Sequence, residues 1–143
     1  MSKKPNLRMT RQRKVILEEI QTLRYHPSAD EIYEAVRKKL PRISLGTVYR
    51  NLEILSELGR VQKLELGGRL KRFDWDVRKH YHIRCINCDR VDNAPMSFMK
   101  NMENSFTEAT DYKIMDHQLE FLGLCPECMN KAIERNTLDN IAR

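Results

Sequence analysis

A chain of 143 residues, 41% hydrophobic and 32% charged, is a globular protein of one or two small domains, which excludes a disordered or fibrous one. No run approaches the roughly 18 to 20 apolar residues of a membrane-spanning helix, and the opening MSKKPNLRMTRQRK lacks the apolar stretch of a secretory signal, so a cytoplasmic location without a membrane is expected. The net charge of +6 is uneven: residues 1–79 hold 19 Lys+Arg against 10 Asp+Glu, whereas residues 80–143 hold 7 against 10. A basic half suited to a polyanion thus precedes a mildly acidic half with another task.

Thr10 is placed to cap a first helix, whose apolar positions Val15, Ile16, Ile20 and Leu23 recur at helical spacing. His26-Pro27 interrupts it. Ser28 followed by Glu31 reads as a capping box for a second helix, with Ile32, Ala35, Val36 and Leu40 on one face and a stop before Pro41. Ser44 caps a third, with Leu45, Val48, Leu52 and Leu55 as its buried stripe and Gly59 at its C-terminus. The period then changes to two through Val61, Leu64 and Leu66, a Gly67-Gly68 turn, and Leu70 and Phe73, which predicts a hairpin. Three helices and a basic hairpin make a winged helix-turn-helix whose third helix would enter the major groove. On that helix Gly46, Thr47 and Arg50 turn away from the apolar stripe, with Tyr49 on its flank, and their chemistry suits bases and phosphates.

All four cysteines of the chain form two CxxC pairs, Cys85/Cys88 and Cys125/Cys128, separated by 36 residues. Two such turns present four thiolates to a tetrahedral structural zinc, which would also staple a half too small to fold on apolar burial alone. The alternative from another class is a thiol-disulfide enzyme using one CxxC, which would need an activating base beside a single reactive cysteine. Strands are predicted at residues 81–84 and 117–124, each leading into a cysteine pair. Met99, Met102, Phe106 and Ala109 predict a helix between them with a core or subunit-contact stripe, and a last helix is expected over residues 127–138. His80 and His82 lie two apart, so on a strand their rings share one face. His26 and Asp74 are further ligand types at the edges of the basic half. His117 fits either a hydrogen-bonded histidine or part of another site.

Over nearly its full length the chain resembles the ferric uptake regulator family. The resemblance rests on Thr10-Arg11-Gln12-Arg13, the segment from His26 to Tyr33, that from Ser44 to Leu52, Arg72-Phe73-Asp74, His80-Tyr81-His82, both CxxC pairs and the segment from His117 to Cys125. It implies an α+β protein: an N-terminal winged-helix DNA-binding domain (1–76), a hinge (77–79) and a C-terminal α/β dimerisation domain (80–143) holding the four-cysteine zinc site. It further implies a homodimer on double-stranded operator DNA, with Arg8 near the minor groove and Arg13, Thr47, Tyr49 and Arg50 among the DNA contacts. A regulatory iron(II) or manganese(II) would be held by His26, Asp74, His80 and His82.

Where iron-sensing members resemble one another in a His-His-Asp-His stretch, this chain reads Lys79-His80-Tyr81-His82. That form looks like the peroxide-responsive branch, in which His26 or His80 would be oxidised. An iron-availability sensor and a metal-insensitive regulator are the alternatives within the family. The family's fifth ligand is acidic, but Asn93 stands at that position with Asp92 one step earlier, on the opposite face of a strand unless a bulge intervenes. A neutral amide there predicts weakened binding of a hard divalent ion.

Overall fold

Three hydroxyl caps set the helices of the N-terminal unit. Thr10, Ser28 and Ser44 accept the amides of Arg13, Glu31 and Thr47 and open α1 (Arg11–Thr22), α2 (Ala29–Val36) and α3 (Leu45–Glu57). Satisfying those otherwise orphaned N–H groups fixes where each helix starts, and the apolar faces then meet in one core that includes Ile16, Ile20, Ile32, Val36, Val48, Leu52 and Leu55. The computed structural model describes residues 8–23 and 25–134, which fall into two compact units divided between Arg78 and Lys79. Among the described residues no helix is long and apolar enough to cross a membrane.

Two details of the helices differ from expectation. The second ends at Val36 rather than continuing to Leu40; both the Lys39 and Leu40 amides turn back to the Val36 carbonyl, at 3.0 and 2.9 Å. Pro41 disfavours helical backbone in the residue before it, so the chain tightens early while Leu40 still packs on the core. In the third helix Leu45 is 36% exposed, and the polar Asn51 is buried instead. Gly59, with φ 71°, releases the chain after α3 as expected.

The wing consists of β1 (Gln62–Leu64) and β2 (Arg72–Asp74), antiparallel with Lys63 opposite Phe73. Its return strand is tied to the turn before α2, since the Phe73 amide donates to the Pro27 carbonyl at 2.9 Å.

The C-terminal unit is built on a three-stranded sheet in the order β4-β3-β5. Central β3 (His82–Cys85) runs antiparallel to β4 (Val91–Asn93) and parallel to β5 (Glu120–Gly123), with Cys85 opposite Gly123. Here β3 starts one residue later than expected and β5 is shorter than 117–124. Past β5 comes α4 (Pro126–Glu134); the expected continuation to residue 138 lies outside the described residues.

The helix expected from Met99 to Ala109 does not form. Two short 3₁₀ turns, Met102–Ser105 and Thr107–Ala109, take its place, with no buried residue. Asn101 adopts a left-handed φ of 65° and Phe106 a φ of −140° with ψ 14°, neither of them helical, and each interrupts the helical backbone that the apolar spacing suggested. Met99 and Phe106 are exposed rather than in a core.

Candidate metal centres and nucleic-acid interface

The parallel pairing of β3 with β5 brings the two CxxC pairs together, because Cys85 ends one strand and Cys125 lies two residues beyond the other. The four sulfurs lie within 4.8 Å of one another, and Cys88 Sγ is 3.8 Å from Cys125 Sγ. A tetrahedron with zinc–sulfur bonds of about 2.3 Å has edges of about 3.8 Å, so the spacing fits zinc. Amides point at the sulfurs as they do at thiolates: Cys88 and Cys125 donate to Cys85 Sγ at 3.5 and 3.4 Å, Cys128 donates to Cys125 Sγ at 3.4 Å, and Asn87 Nδ2 donates to Cys128 Sγ at 3.3 Å. Asp89, with φ 70°, closes the first turn and approaches Arg84 at 3.4 Å.

Burial pushes the Cys85 thiol up, but the Cys88, Cys125 and Asn87 amides outweigh it and bring it down to about 6. Desolvation drives Cys88 up to about 12 despite the Arg90 amide, and the neighbouring thiols add to the rise. Four sulfurs this close cannot all carry charge without a cation among them. The donor set therefore fits a closed structural metal centre of the zinc type.

The ligand types at the basic half and at the sheet occur as two pairs, each within its own unit. In the first unit the wing strand is held against the α2 turn by Arg72, whose Nη1 donates to the His26 carbonyl at 2.9 Å and approaches Glu31 at 3.2 Å. This places His26 Nε2 3.4 Å from Asp74 Oδ2, with the Asp74 side chain only 1% exposed. The other Asp74 oxygen accepts the Asp76 amide at 2.9 Å. In the second unit the rings of His80 and His82 lie on one face, 4.5 Å apart. Asn93 is opposite His82 in the ladder, and its Oδ1 is 3.0 Å from His80 Nε2. Asp92 is opposite Ile83 and is ion-paired with Arg90 at 2.7 Å. Beside the histidines, then, stands the amide rather than the carboxylate, and no bulge shifts the register.

His117 is the centre of a hydrogen-bonded chain that the sequence left open. The Met99 amide donates to Tyr81 Oη at 3.0 Å, Tyr81 Oη lies 2.6 Å from His117 Nε2, and His117 Nδ1 lies 2.5 Å from Glu103 Oε1. The carboxylate can only accept, so Nδ1–H points at Glu103, and in the tautomer with its hydrogen on Nδ1 the ring accepts the phenol proton at Nε2. Glu103, Asp116 and His117 bring ligand atoms within 4.8 Å of one another, but those atoms already serve this chain and the Lys79–Asp116 pair at 2.9 Å. The His117 ring holds Glu103 below the usual carboxylate range, and Lys79 does the same for Asp116. Tyr81 is 1% exposed, so Tyr81→Phe takes a buried hydroxyl from two partly buried partners, the Met99 amide and His117 Nε2. We expect it to destabilise the zinc-loaded protein by about 1 to 3 kcal/mol in urea denaturation, against no loss if the hydroxyl only fills space.

On the outer side of α3, Tyr49 is 46% exposed and Arg50 is exposed, whereas the Thr47 hydroxyl sits 2.9 Å from Ser44 Oγ. Arg8 is exposed ahead of α1. Arg13 is engaged within the unit: Nε donates to Asn51 Oδ1 at 3.0 Å and Nη1 donates to the Arg8 carbonyl. Asn51 was not singled out from the sequence, although a polar residue interrupting the Val48/Leu52/Leu55 stripe is a signal that could have found it.

A winged helix with an exposed basic recognition face, joined to a unit closed by four cysteines and flanked by histidine and aspartate pairs, defines a metal-linked DNA-binding protein. Residues 4–122 match the profile of the ferric uptake regulator family, and the chain belongs to that family. Its members are dimeric DNA-binding transcription regulators that respond to metal, not enzymes. The peroxide-responsive repressor PerR of Staphylococcus aureus (strain Mu50) is 35% identical over 125 residues, covering 87% of this chain and 84% of that protein. The ferric uptake regulator Fur of Helicobacter pylori superposes with a TM-score of 0.72 at 24% identity, covering 88% of this chain and 85% of that one. The Campylobacter jejuni peroxide stress regulator superposes with a TM-score of 0.65 at 25% identity, covering 82% and 88%.

Proposed function

We propose that this chain is a transcriptional repressor whose grip on double-stranded operator DNA is set by one iron(II) or manganese(II) ion and is lost when peroxide oxidises the iron-loaded form. The observation that carries the reading is where the ligand pairs fall: His26 and Asp74 belong to the DNA-binding unit, His80 and His82 to the sheet unit, on either side of the boundary after Arg78. An ion taking ligands from both fixes how the units are oriented. In a symmetric dimer that orientation sets the spacing of two recognition helices, which must match half-sites spaced by helical turns.

The chain's own residues divide the work. Arg72 and the Pro27 carbonyl hold His26 beside Asp74, the buried Tyr81 anchors the start of β3 between His80 and His82, and Asn93 offers a neutral oxygen. Thr47, Tyr49 and Arg50 read or grip the major groove, and Arg8 the minor groove, with Arg13 behind it. A second copy suits the outer strand β5, which pairs on one side only among the described residues and whose Phe121 and Leu122 are 41% and 60% exposed. An iron(II) ion held by these residues would activate hydrogen peroxide, whose two-electron reduction to water would be matched by insertion of its other oxygen atom into the imidazole ring of His26 or His80. Units 1–76 and 80–143 joined by a hinge at 77–79 give the metal something to set.

The test is an anaerobic titration of zinc-loaded protein against promoter DNA, without added metal, with manganese(II) and with iron(II), followed by peroxide. Both metals should tighten binding. Peroxide should abolish it only with iron, and mass spectrometry should find one added oxygen on His26 or His80. Binding that ignores both metals would sink the reading, because metal affinity and operator affinity must be coupled reciprocally.

A further inference from the structure

We propose that Arg13 and Asn51 are positioning residues that fix the Arg8 segment to the recognition helix, so that the two DNA-facing elements are presented in a set register. Asn51 is 5% exposed within α3, between Val48 and Leu52 on the apolar face. Asparagine is a poor helix-interior residue, and an apolar side chain would fill this place at less cost, so its polarity needs a use. Its amide is fully oriented. Nδ2 donates to the Thr47 carbonyl one turn earlier at 3.0 Å, which leaves Oδ1 facing Arg13 Nε, also at 3.0 Å. The rigid guanidinium fork then turns Nη1 onto the carbonyl of Arg8. Recognition helix, α1 and the backbone leading into α1 are thereby joined through one planar group, and a lysine could not make both bonds.

The consequence rests on the DNA-binding reading above. Arg8 and the Thr47–Arg50 face can engage one duplex together only if their relative placement matches the groove geometry. A segment already held in place loses less freedom on binding than a loose one. Arg13 thus acts through Arg8: its two named donors face protein, and its contribution to operator affinity is to make that of Arg8 count.

Operator affinity is measured for the full zinc-loaded, metal-supplemented protein, for Arg8→Ala, for Asn51→Ala and for the double variant. Asn51 is the chosen site because a residue so buried cannot itself reach DNA. Arg8→Ala should weaken binding about tenfold in the native chain but less than about twofold when Asn51 is already alanine. Equal losses in both backgrounds overturn the proposal, and so does an Arg8→Ala that costs nothing in the native chain. Arg13→Lys, which keeps the charge and loses the fork, should reproduce the Asn51→Ala pattern and serves if the alanine variant does not fold.

A readout without DNA separates this proposal from the functional reading. In the free protein, trypsin cleavage after Arg8 should quicken about tenfold in both variants when each is assayed well below its own thermal midpoint. If cleavage quickens while no form binds the promoter, the DNA reading has failed and the bracing contact stands. Unchanged cleavage means the contact does not hold the segment.

Discussion

Removing zinc, or replacing Cys125 by serine, should unfold the C-terminal unit and leave the winged helix folded. The asymmetry follows from what each unit buries. Thirteen buried apolar side chains form the core of the first unit, from Val15 to Phe73. In the second, the buried cluster at the sheet's end is Cys85, Cys125 and Cys128 with Leu124 against them, and outside it the buried apolar side chains among the described residues are Tyr81, Val91, Ala94 and Ala132, so the metal centre is the main packed cluster there. A four-cysteine zinc site contributes on the order of 10 kcal/mol to folding, more than so small an apolar interior supplies. Without the ion, Cys85 ionises readily and Cys88 does not, and the crowded sulfurs lose the cation that holds them together. The two units can be followed separately because the only tryptophan, Trp75, lies in the first. Chelation under mild urea should abolish much of the far-ultraviolet sheet signal while Trp75 emission stays native. A metal-free protein with its full ellipticity and urea midpoint would contradict this account of the fold.

How much of this was legible beforehand depends on the range of the interactions involved. The helix starts were readable because caps are local: Thr10, Ser28 and Ser44 each bond an amide three residues away. The zinc centre was readable because cysteine spacing is a direct record of ligand geometry. The stretch from Met99 to Ala109 misled because periodicity reports which residues could share a face, not whether a partner layer exists to cover it. With Asn101 left-handed and no apolar layer over the stripe, helical spacing had nothing to consolidate it. The partner of Asn51 and the Tyr81–His117–Glu103 chain were invisible for a different reason. Each joins residues that are 38, 36 and 14 positions apart, and no local pattern announces that a buried amide will meet a guanidinium or that a phenol will meet an imidazole.

Asn93→Asp should tighten binding of iron(II) and manganese(II) by about 10- to 100-fold, the scale on which groups around a metal tune its affinity. Asn93 faces His80 at 3.0 Å, so its oxygen already lies where a ligand to the proposed ion would be; what it lacks is charge. A carboxylate there lowers the net charge of the loaded site by one, which hard oxygen-preferring cations favour. Part of the gain is offset by repulsion from Asp74, the other acidic member of the proposed set. The contrasting variant is Asp92→Asn, which removes a carboxylate one residue away but on the other face, where it is bound to Arg90. That change should leave metal affinity unaltered.

Manganese titration of the zinc-loaded protein, followed by the electron-spin signal of the free ion, measures all three forms under one condition. If both variants shift affinity alike, the effect is a general field and Asn93 has no special place. If only Asn93→Asp shifts it, the native asparagine sets the sensor's threshold, holding it to metal levels that an aspartate would render saturating, and operator binding should respond to correspondingly less metal because the two affinities are linked.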